Sequence, residues 1–183
     1  IPKRDVMVSR VEKARDTQEE TKEQFKSALE QFTAATNFSG GDLEATYKRL
    51  NDAYEASVAK AEEVRSRIAD IESVSEALFT EWKQEITQYS SAALKQSSQK
   101  ILDATQMHYR QLIASMKQAE GKIEPILTVF HDQVMFLKHN LNARAIASLK
   151  GELGTIKSDV SALVVSMEQS INEANAFIST MEK

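Results

Sequence analysis

The chain has 183 residues, 27 acidic against 23 basic, with a formal net charge of −4 and no cysteine. It therefore cannot form a disulfide framework or a thiolate metal site. Its longest apolar run, four residues, is too short to span a bilayer, and the acidic balance argues against a nucleic-acid binder with a broad basic face. Five glycines and two prolines in a chain that is 42% hydrophobic indicate a folded protein with few turns, and so an all-α fold.

Four helices are predicted in chain order, because apolar residues recur in steps of three and four, the spacing of long helices that pack side by side. They cover residues 4–37, 42–89, 92–139 and 142–181. The first connection is marked by Gly40 and Gly41, which permit positive φ, and by Asp42, a good N-cap. The second falls in the serine-rich residues 88–100, where the sequence does not show the exact turn.

The third and fourth helices each contain helix-breaking residues. Pro125 removes one backbone hydrogen bond and presses on the carbonyl of Gly121. Because the three-and-four spacing passes through this proline unbroken, we predict a kink near Pro125 rather than a chain reversal. Gly151 and Gly154 lie inside the last helix, where each costs up to about 1 kcal/mol relative to alanine. We therefore predict a close helix contact at these two glycines.

The helix lengths predict the architecture. At a rise of 1.5 Å per residue the four helices are about 50, 70, 70 and 60 Å long. They fit a single domain over residues 1–183, folded as an elongated, coiled-coil-like antiparallel four-helix bundle. If all helices are aligned at the end of the bundle that carries Gly40, the second and third extend beyond the others, and their serine-rich connection projects as a two-helix hairpin.

Patterns that would support catalysis or metal binding are absent from the sequence. Di-iron bundles need Glu-x-x-His pairs and helical zinc sites need His-Glu-x-x-His, and the chain has neither. Two of the three histidines, His131 and His139, lie about 80° apart around a helix and do not converge. His131 and Asp132 are interpreted as a polar or solvated pair rather than an acid–base couple. We expect that the protein is not an enzyme, has no catalytic residue, and binds neither a metal nor a cofactor.

Residues 126–137 are apolar at eight of twelve positions, more than an amphipathic surface helix needs. One interpretation places the segment at the centre of the core, facing Phe25, Phe32, Leu50 and Tyr54. A second is an apolar interface with a partner or a second copy. The candidate interface residues are Phe130, Met135 and Phe136. A cavity for a hydrophobic ligand is the third interpretation, and the sequence leaves all three open.

The predicted junction of the last two helices is rich in polar groups. The candidate residues for binding a partner or an anion are Lys138, His139, Asn140, Asn142 and Arg144. The alternative is structural capping, because such groups satisfy the free carbonyls and amides of helix ends. Asn142 is a suitable N-cap for the last helix, and Arg144 would lie near its N-terminus, where an anion can be held.

A resemblance to a known family is carried by four runs spread over nearly the whole chain. They are Lys3–Asp16, Phe38–Glu44, Ala77–Trp82 and Asp132–Ala147, the last of which reads DQVMFLKHNLNARAIA. With these runs the chain resembles a bacterial family of unknown function, domain of unknown function 2959. The resemblance implies a Gram-negative origin and an exported precursor, often with a lipidated cysteine upstream of Ile1. It thus implies a periplasmic location, in which the protein could be anchored to the outer membrane as a lipoprotein. It implies no activity.

These observations predict a non-enzymatic cell-envelope bundle that serves as a structural or protein-interaction module. Its expected partner is another protein or a second copy, and not a nucleic acid. Membrane contact is expected only through an N-terminal lipid anchor that this chain does not contain. The alternative function is a carrier or sensor of an apolar ligand bound between helices, which predicts a closed cavity near Phe130.

Overall fold

The computed structural model describes residues 1–37 and 39–182, so Phe38, in the predicted first loop, and Lys183 lie outside the described residues. Within the described part the protein is all-α, 91% helical and without strands, which confirms the predicted fold class. The helices are α1 (Lys3–Thr36), α2 (Leu43–Ile86), α3 (Ala92–Glu120), α4 (Ile123–His139) and α5 (Ala143–Glu182).

The connections contain the residue types that helix ends require. Gly40 and Gly41 have φ values of +129° and +111°, in the region that residues with a side chain rarely adopt. The Asp42 carboxylate caps α2 by accepting hydrogen bonds from two backbone N–H groups of the first turn, at 2.9 and 3.3 Å. The Ser91 hydroxyl caps α3 by accepting one at 3.2 Å. The connection that the sequence left undefined therefore ends at Ser91.

Over residues 92–139, where the spacing predicts one helix, α3 and α4 meet at Gly121 and Lys122. Both residues keep helical angles, with φ and ψ of −62° and −17° for Gly121 and −86° and −8° for Lys122. Pro125 lies in the first turn of α4 and has no N–H to donate to the Gly121 carbonyl, which explains a break one turn before it. A bend of 15° is present, less than a sharp kink; the kink at Pro125 itself stays a prediction.

Contacts between helices define two ends of the molecule. α1 packs against α2 and α5, and α3 and α4 each pack against both α2 and α5. At the start of α1, Lys3 contacts Glu81 of α2, and Arg4 donates to the carbonyl of Met181 near the end of α5. We call this end, with residues 87–91 and the ends of the described chain, the hairpin end. The opposite end, with the connections after α1 and after α4, is the loop end.

The apolar core is divided into two clusters along the length of the molecule. The loop-end cluster contains Phe25 and Phe130, and the hairpin-end cluster contains residues such as Met7. Between them lies a layer of buried polar side chains, in which Gln18 is 1% exposed. The Ser170 hydroxyl donates to Gln18 Oε1 at 2.9 Å, while Gln18 Nε2 has no hydrogen-bond partner among the described residues. Such a layer favours one register of the helices over others.

Gly151 and Gly154 do not lie at a close helix contact, and that prediction is wrong. A Cβ atom built at either position would meet nothing within 4 Å, and both residues are exposed on α5. The glycines therefore leave α5 with two weak helix formers and no compensating contact.

At the hairpin end, α2 and α3 extend beyond the helices that flank them. α2 continues past Glu81, the residue beside the start of α1, to Ile86. Residues 92–97 of α3 are all exposed. Trp82 Nε1 donates to Ser98 Oγ at 2.9 Å and joins the two helices at the base of the projection. The pair projects about 10 Å beyond the rest of the molecule, at 1.5 Å per residue.

Candidate functional site

The junction of α4 and α5 holds the polar residues selected from the sequence, and two of them cap helix ends. Asn142 Oδ1 accepts hydrogen bonds from the backbone N–H groups of Arg144 at 3.0 Å and Ala145 at 3.4 Å. Asn140 Nδ2 donates to the carbonyl of Phe136 at 3.0 Å. These bonds satisfy groups that a helix end leaves free. The structure therefore gives Asn140 and Asn142 the capping role that the sequence left open.

An open cleft beside this junction brings together residues that the sequence placed in two separate groups. Its volume is about 460 Å³. Among its lining residues are Met135, Phe136, His139 and Asn140 of the α4 side and Ser148 of α5. Ser148 also donates to the side-chain carbonyl of Gln133 at 3.1 Å, so the two helices are joined at the floor of the cleft. The cleft combines two apolar side chains with polar groups at its edge, as in many recognition sites.

Phe130 does not belong to this exposed surface, because its side chain is completely buried. Its ring stacks on Phe32, with centroids 4.3 Å apart, and lies 6.2 Å from the ring of Phe25. In this structure it cannot contact a partner without unfolding of the core. The central-core interpretation therefore holds for this residue, while Met135, 48% exposed, lies on the outer side of α4.

The cleft is lined by one acidic residue, Asp132, and the residues that follow it in the chain carry only positive charge. Residues 133–151 contain two lysines, one arginine and one histidine, and no aspartate or glutamate, although the whole chain carries a net charge of −4. Lys138, His139 and Arg144 are exposed. We call Met135, Phe136, Lys138, His139, Leu141 and Arg144 the loop-end patch. The patch is apolar at its centre, with Lys138 and Arg144 as its charged residues, and it adjoins the carboxylate of Asp132 in the cleft.

The remaining candidate for proton chemistry, His131, lies on the surface. His131 Nδ1 and Asp132 Oδ1 are 3.5 Å apart, with both side chains more than half exposed, and the His131 ring lies 5.6 Å from that of Tyr54. The contact with Asp132 is long for a hydrogen bond. Among the described residues, no three His, Asp or Glu side chains come together to hold a metal ion. The expected lack of enzymatic activity, metal and cofactor stays a prediction.

A second cleft, at the hairpin end, was not found from the sequence. It has a volume of about 520 Å³, and Leu78 and Trp82 of α2, Ile101 and His108 of α3 and Met181 of α5 are among its lining residues. The only sequence pattern that pointed to this cleft was the spacing of Leu94, Ile101 and His108 by seven residues, which places them on one face of α3. That spacing alone does not show whether another helix covers the face.

Most groups with shifted pKa values lie in ion pairs within or between helices, and the exception is Tyr109, whose pKa is raised by burial. They do not form a shared reactive centre. Hydrogen bonds to Glu120 and Glu124 raise the pKa of Arg65, which spans the junction of α3 and α4 with N–O distances of 2.8 and 2.9 Å. The hydrogen bond to Glu72 raises the pKa of Lys117. Pairs of this kind orient neighbouring helices and are no evidence of catalysis.

Comparison with known proteins identifies one family. A family model described as "Protein of unknown function (DUF2959)" matches residues 1–181. No curated protein and no solved structure matches the chain. Among the described residues, no helix combines the length and the apolar character that crossing a bilayer requires.

Proposed function

We propose a function from the premise that the chain belongs to the DUF2959 family, a family of proteins of unknown function. The proposed function is that of a non-enzymatic helical module of the cell envelope that binds another protein through the loop-end patch. The observation that carries it is the patch itself, where the half-exposed Met135 lines an open cleft near the exposed Lys138 and Arg144.

The proposed scaffold is an elongated antiparallel four-helix bundle in which α3 and α4 together form the third helix. Cross-helix pairs support this arrangement, because residue numbers rise along one helix as they fall along the other. Lys3 of α1 contacts Glu81 of α2, and Glu20, further along α1, lies 3.1 Å from the ammonium of Lys60, earlier in α2. A bundle of this kind holds the α4–α5 junction on a rigid support, which favours recognition by a preformed surface.

Charge and shape together indicate the class of partner. The exposed Lys138 and Arg144 outnumber the one carboxylate of the cleft, Asp132, and favour an acidic segment, since complementary charges steer association and select partners. The apolar centre, formed by Met135, Phe136 and Leu141, favours an apolar side chain that enters the cleft. The proposed partner is therefore a protein with an exposed acidic segment that includes a large apolar residue.

Location in the cell envelope is supported by the resemblance of the sequence to exported bacterial proteins. As that resemblance implies, the natural gene product is expected to carry an export signal that ends in a lipidated cysteine. Fractionation of cells that express the natural gene, with labelling by a radioactive fatty acid, tests this part. Recovery of the unlabelled protein in the cytoplasm would contradict it.

Site-specific photo-crosslinking tests the proposed binding surface. A photoreactive amino acid at Met135 should capture a defined partner in cells, whereas the same group at Val165, 53% exposed on α5, should not. The captured protein should bind the purified chain and should lose affinity on Met135→Glu but keep it on Val165→Glu. Equal capture at both positions, or equal affinity of both variants, would show that the loop-end patch is not the binding surface.

The alternative function, a carrier or sensor of an apolar ligand, has less support. It predicts a closed cavity near Phe130, but the rings of Phe25 and Phe32 occupy that space. The two clefts described above are both open to solvent and lie at the ends of the molecule. Native mass spectrometry of the purified chain tests the alternative, since a carrier should retain a bound lipid.

A further inference from the structure

Exposed apolar side chains are concentrated at the hairpin end. Eight large hydrophobic residues are exposed in the described structure, and five of them lie at this end. They are Ile1, Tyr89, Leu94, Ile101 and Met107. Tyr89 and Leu94 lie at the outermost point, with 45% and 58% of their surfaces exposed, and Ala92 and Ala93 between them are exposed as well. Exposed apolar residues collected on a projecting point indicate a contact surface.

The same point carries positive charge. Residues 86–102, which we call the hairpin tip, contain Lys95 and Lys100 and no acidic residue. Both lysines are exposed. The nearest acidic residues in sequence are Glu85 and Asp103, at the base of the tip. The tip therefore has a net charge of +2 in a chain whose net charge is −4, and this separation of charge orients the hairpin end towards an anionic surface.

The form of the tip distinguishes between possible occupants. A second copy bound about a two-fold axis would place the same positive patch against itself, which like charges disfavour. The loop-end patch borders a cleft that accepts an inserted side chain. The cleft at the hairpin end lies at the base of the tip, where Ile101 lines it, whereas Tyr89 and Leu94 at the outermost point line neither cleft and are exposed on a narrow projection. A bilayer interface is soft and admits such a projection. Tyrosine, leucine and lysine together are the residue types that settle at the level of the headgroups.

We propose that the hairpin tip docks on the surface of a bilayer that contains anionic phospholipid. Leu94 and Tyr89 enter the headgroup region, while the ammonium groups of Lys95 and Lys100 pair with lipid phosphates. The contact requires neither a lipid anchor nor a partner at the loop-end patch. It also differs from the sequence-based expectation that membrane contact occurs only through an anchor. Its failure would leave the proposed protein-binding function unaffected.

Sedimentation with lipid vesicles tests the docking of the unlipidated chain. The chain should bind vesicles of phosphatidylcholine with about one-third phosphatidylglycerol, and should bind pure phosphatidylcholine vesicles far more weakly. Binding should weaken as salt is raised, because the attraction between exposed charges is screened. Absence of binding to the anionic vesicles at low salt, or equal binding to both compositions, would overturn the proposal.

Matched variants locate the contact. Lys95→Gln/Lys100→Gln should weaken the partition coefficient by about 30-fold, since each lysine near an anionic surface contributes about 1 kcal/mol. The control Lys48→Gln/Lys157→Gln removes two exposed lysines elsewhere and should weaken it much less. All four side chains are exposed, so the fold should persist, and circular dichroism checks this. An equal loss in the two double variants would refute docking through the tip.

The apolar part of the contact has its own test, which uses the absence of cysteine from the chain. A polarity-sensitive fluorophore on Ala92→Cys should shift to shorter wavelength on anionic vesicles, while the same label on Leu141→Cys at the loop end should not. Leu94→Ser should reduce binding by about tenfold, and Val165→Ser should leave it nearly unchanged. A shift at Leu141→Cys without one at Ala92→Cys would show that the loop end docks instead.

Discussion

Alanine at Gly151 and Gly154 should stabilise the protein. Both residues lie inside α5, where glycine is less favourable than alanine by about 0.5–1 kcal/mol because the unfolded chain has more conformations to lose. No atom lies within 4 Å of a Cβ built at either position, so the added methyl group meets no steric cost. The double variant should gain about 1–2 kcal/mol, which raises the melting temperature by roughly 2–8 °C for a domain of this size.

Urea unfolding followed by far-ultraviolet circular dichroism measures this effect, with the slope of the transition expected to stay constant. Gly40→Ala provides a control of opposite sign. Gly40 has a φ of +129°, and forcing an alanine into that region should cost about 1–2 kcal/mol. The same chemical change should thus stabilise one part of the chain and destabilise another.

Destabilisation by alanine at Gly151 and Gly154 would refute the reasoning. It would mean that a neighbouring surface, such as a second molecule against α5, requires the absence of a side chain there. Stabilisation by Gly40→Ala would equally contradict the backbone conformation assigned to the first connection.

Three further predictions concern the core and the ion pairs. Phe130→Ala should lower the free energy of unfolding by about 3–5 kcal/mol, because it removes a buried ring. Met135→Ala, on the exposed side of α4, should change it by about 0.5 kcal/mol. Urea unfolding compares the two variants, and similar losses in both would contradict the buried position of Phe130. Gln18→Leu/Ser170→Ala should raise the free energy of unfolding by about 1 kcal/mol, because it removes a buried amide that lacks a hydrogen-bond partner. A lower free energy of unfolding in the same assay would show that every polar group of this layer has a hydrogen-bond partner. Partial burial raises the pKa of Glu63, but the hydrogen bonds and charges of Lys60 and Arg67 on the same helix, with a hydrogen bond from Thr17 of α1, outweigh it and hold the pKa below its usual value. The stability that Glu63 adds is therefore present at neutral pH and lost as pH falls through the lowered pKa. Glu63→Gln should unfold at a lower urea concentration than the unsubstituted protein at neutral pH, but not in acid. A difference between the two proteins that does not depend on pH would contradict the ion pair.

Much of the site could be read from the sequence, but its geometry could not. Lys138, His139 and Arg144 were recognised as exposed polar groups at a junction, and Asn142 as a cap, because capping depends on residues a few positions apart. The exposure of Met135 and the burial of Phe130 depend on which side of α4 faces α2 and α5. Both residues lie in a segment that is apolar on nearly every side, so hydrophobic periodicity could not show which side of the helix is buried.

The break between α3 and α4 shows a similar limit. Pro125 predicts a disturbed helix, yet the break lies at Gly121 and Lys122. The Gly121 carbonyl is the acceptor of the hydrogen bond that Pro125 cannot donate. Arg65 reaches both Glu120 and Glu124 across this junction, and no local pattern in the sequence relates these residues. The cleft at the hairpin end was missed for the same reason, since it is formed by four different helices.

The sequence alone determined that this protein is all-α and which family it belongs to. The fold class follows from local propensity, capping and hydrophobic spacing, which act over one or two helical turns. Only the tertiary structure decided which apolar residues are covered, that Gly151 and Gly154 face open space, and that the apolar and basic residues of the hairpin tip form one exposed point. Burial and exposure depend on the helices packed alongside, and those neighbours are distant in sequence.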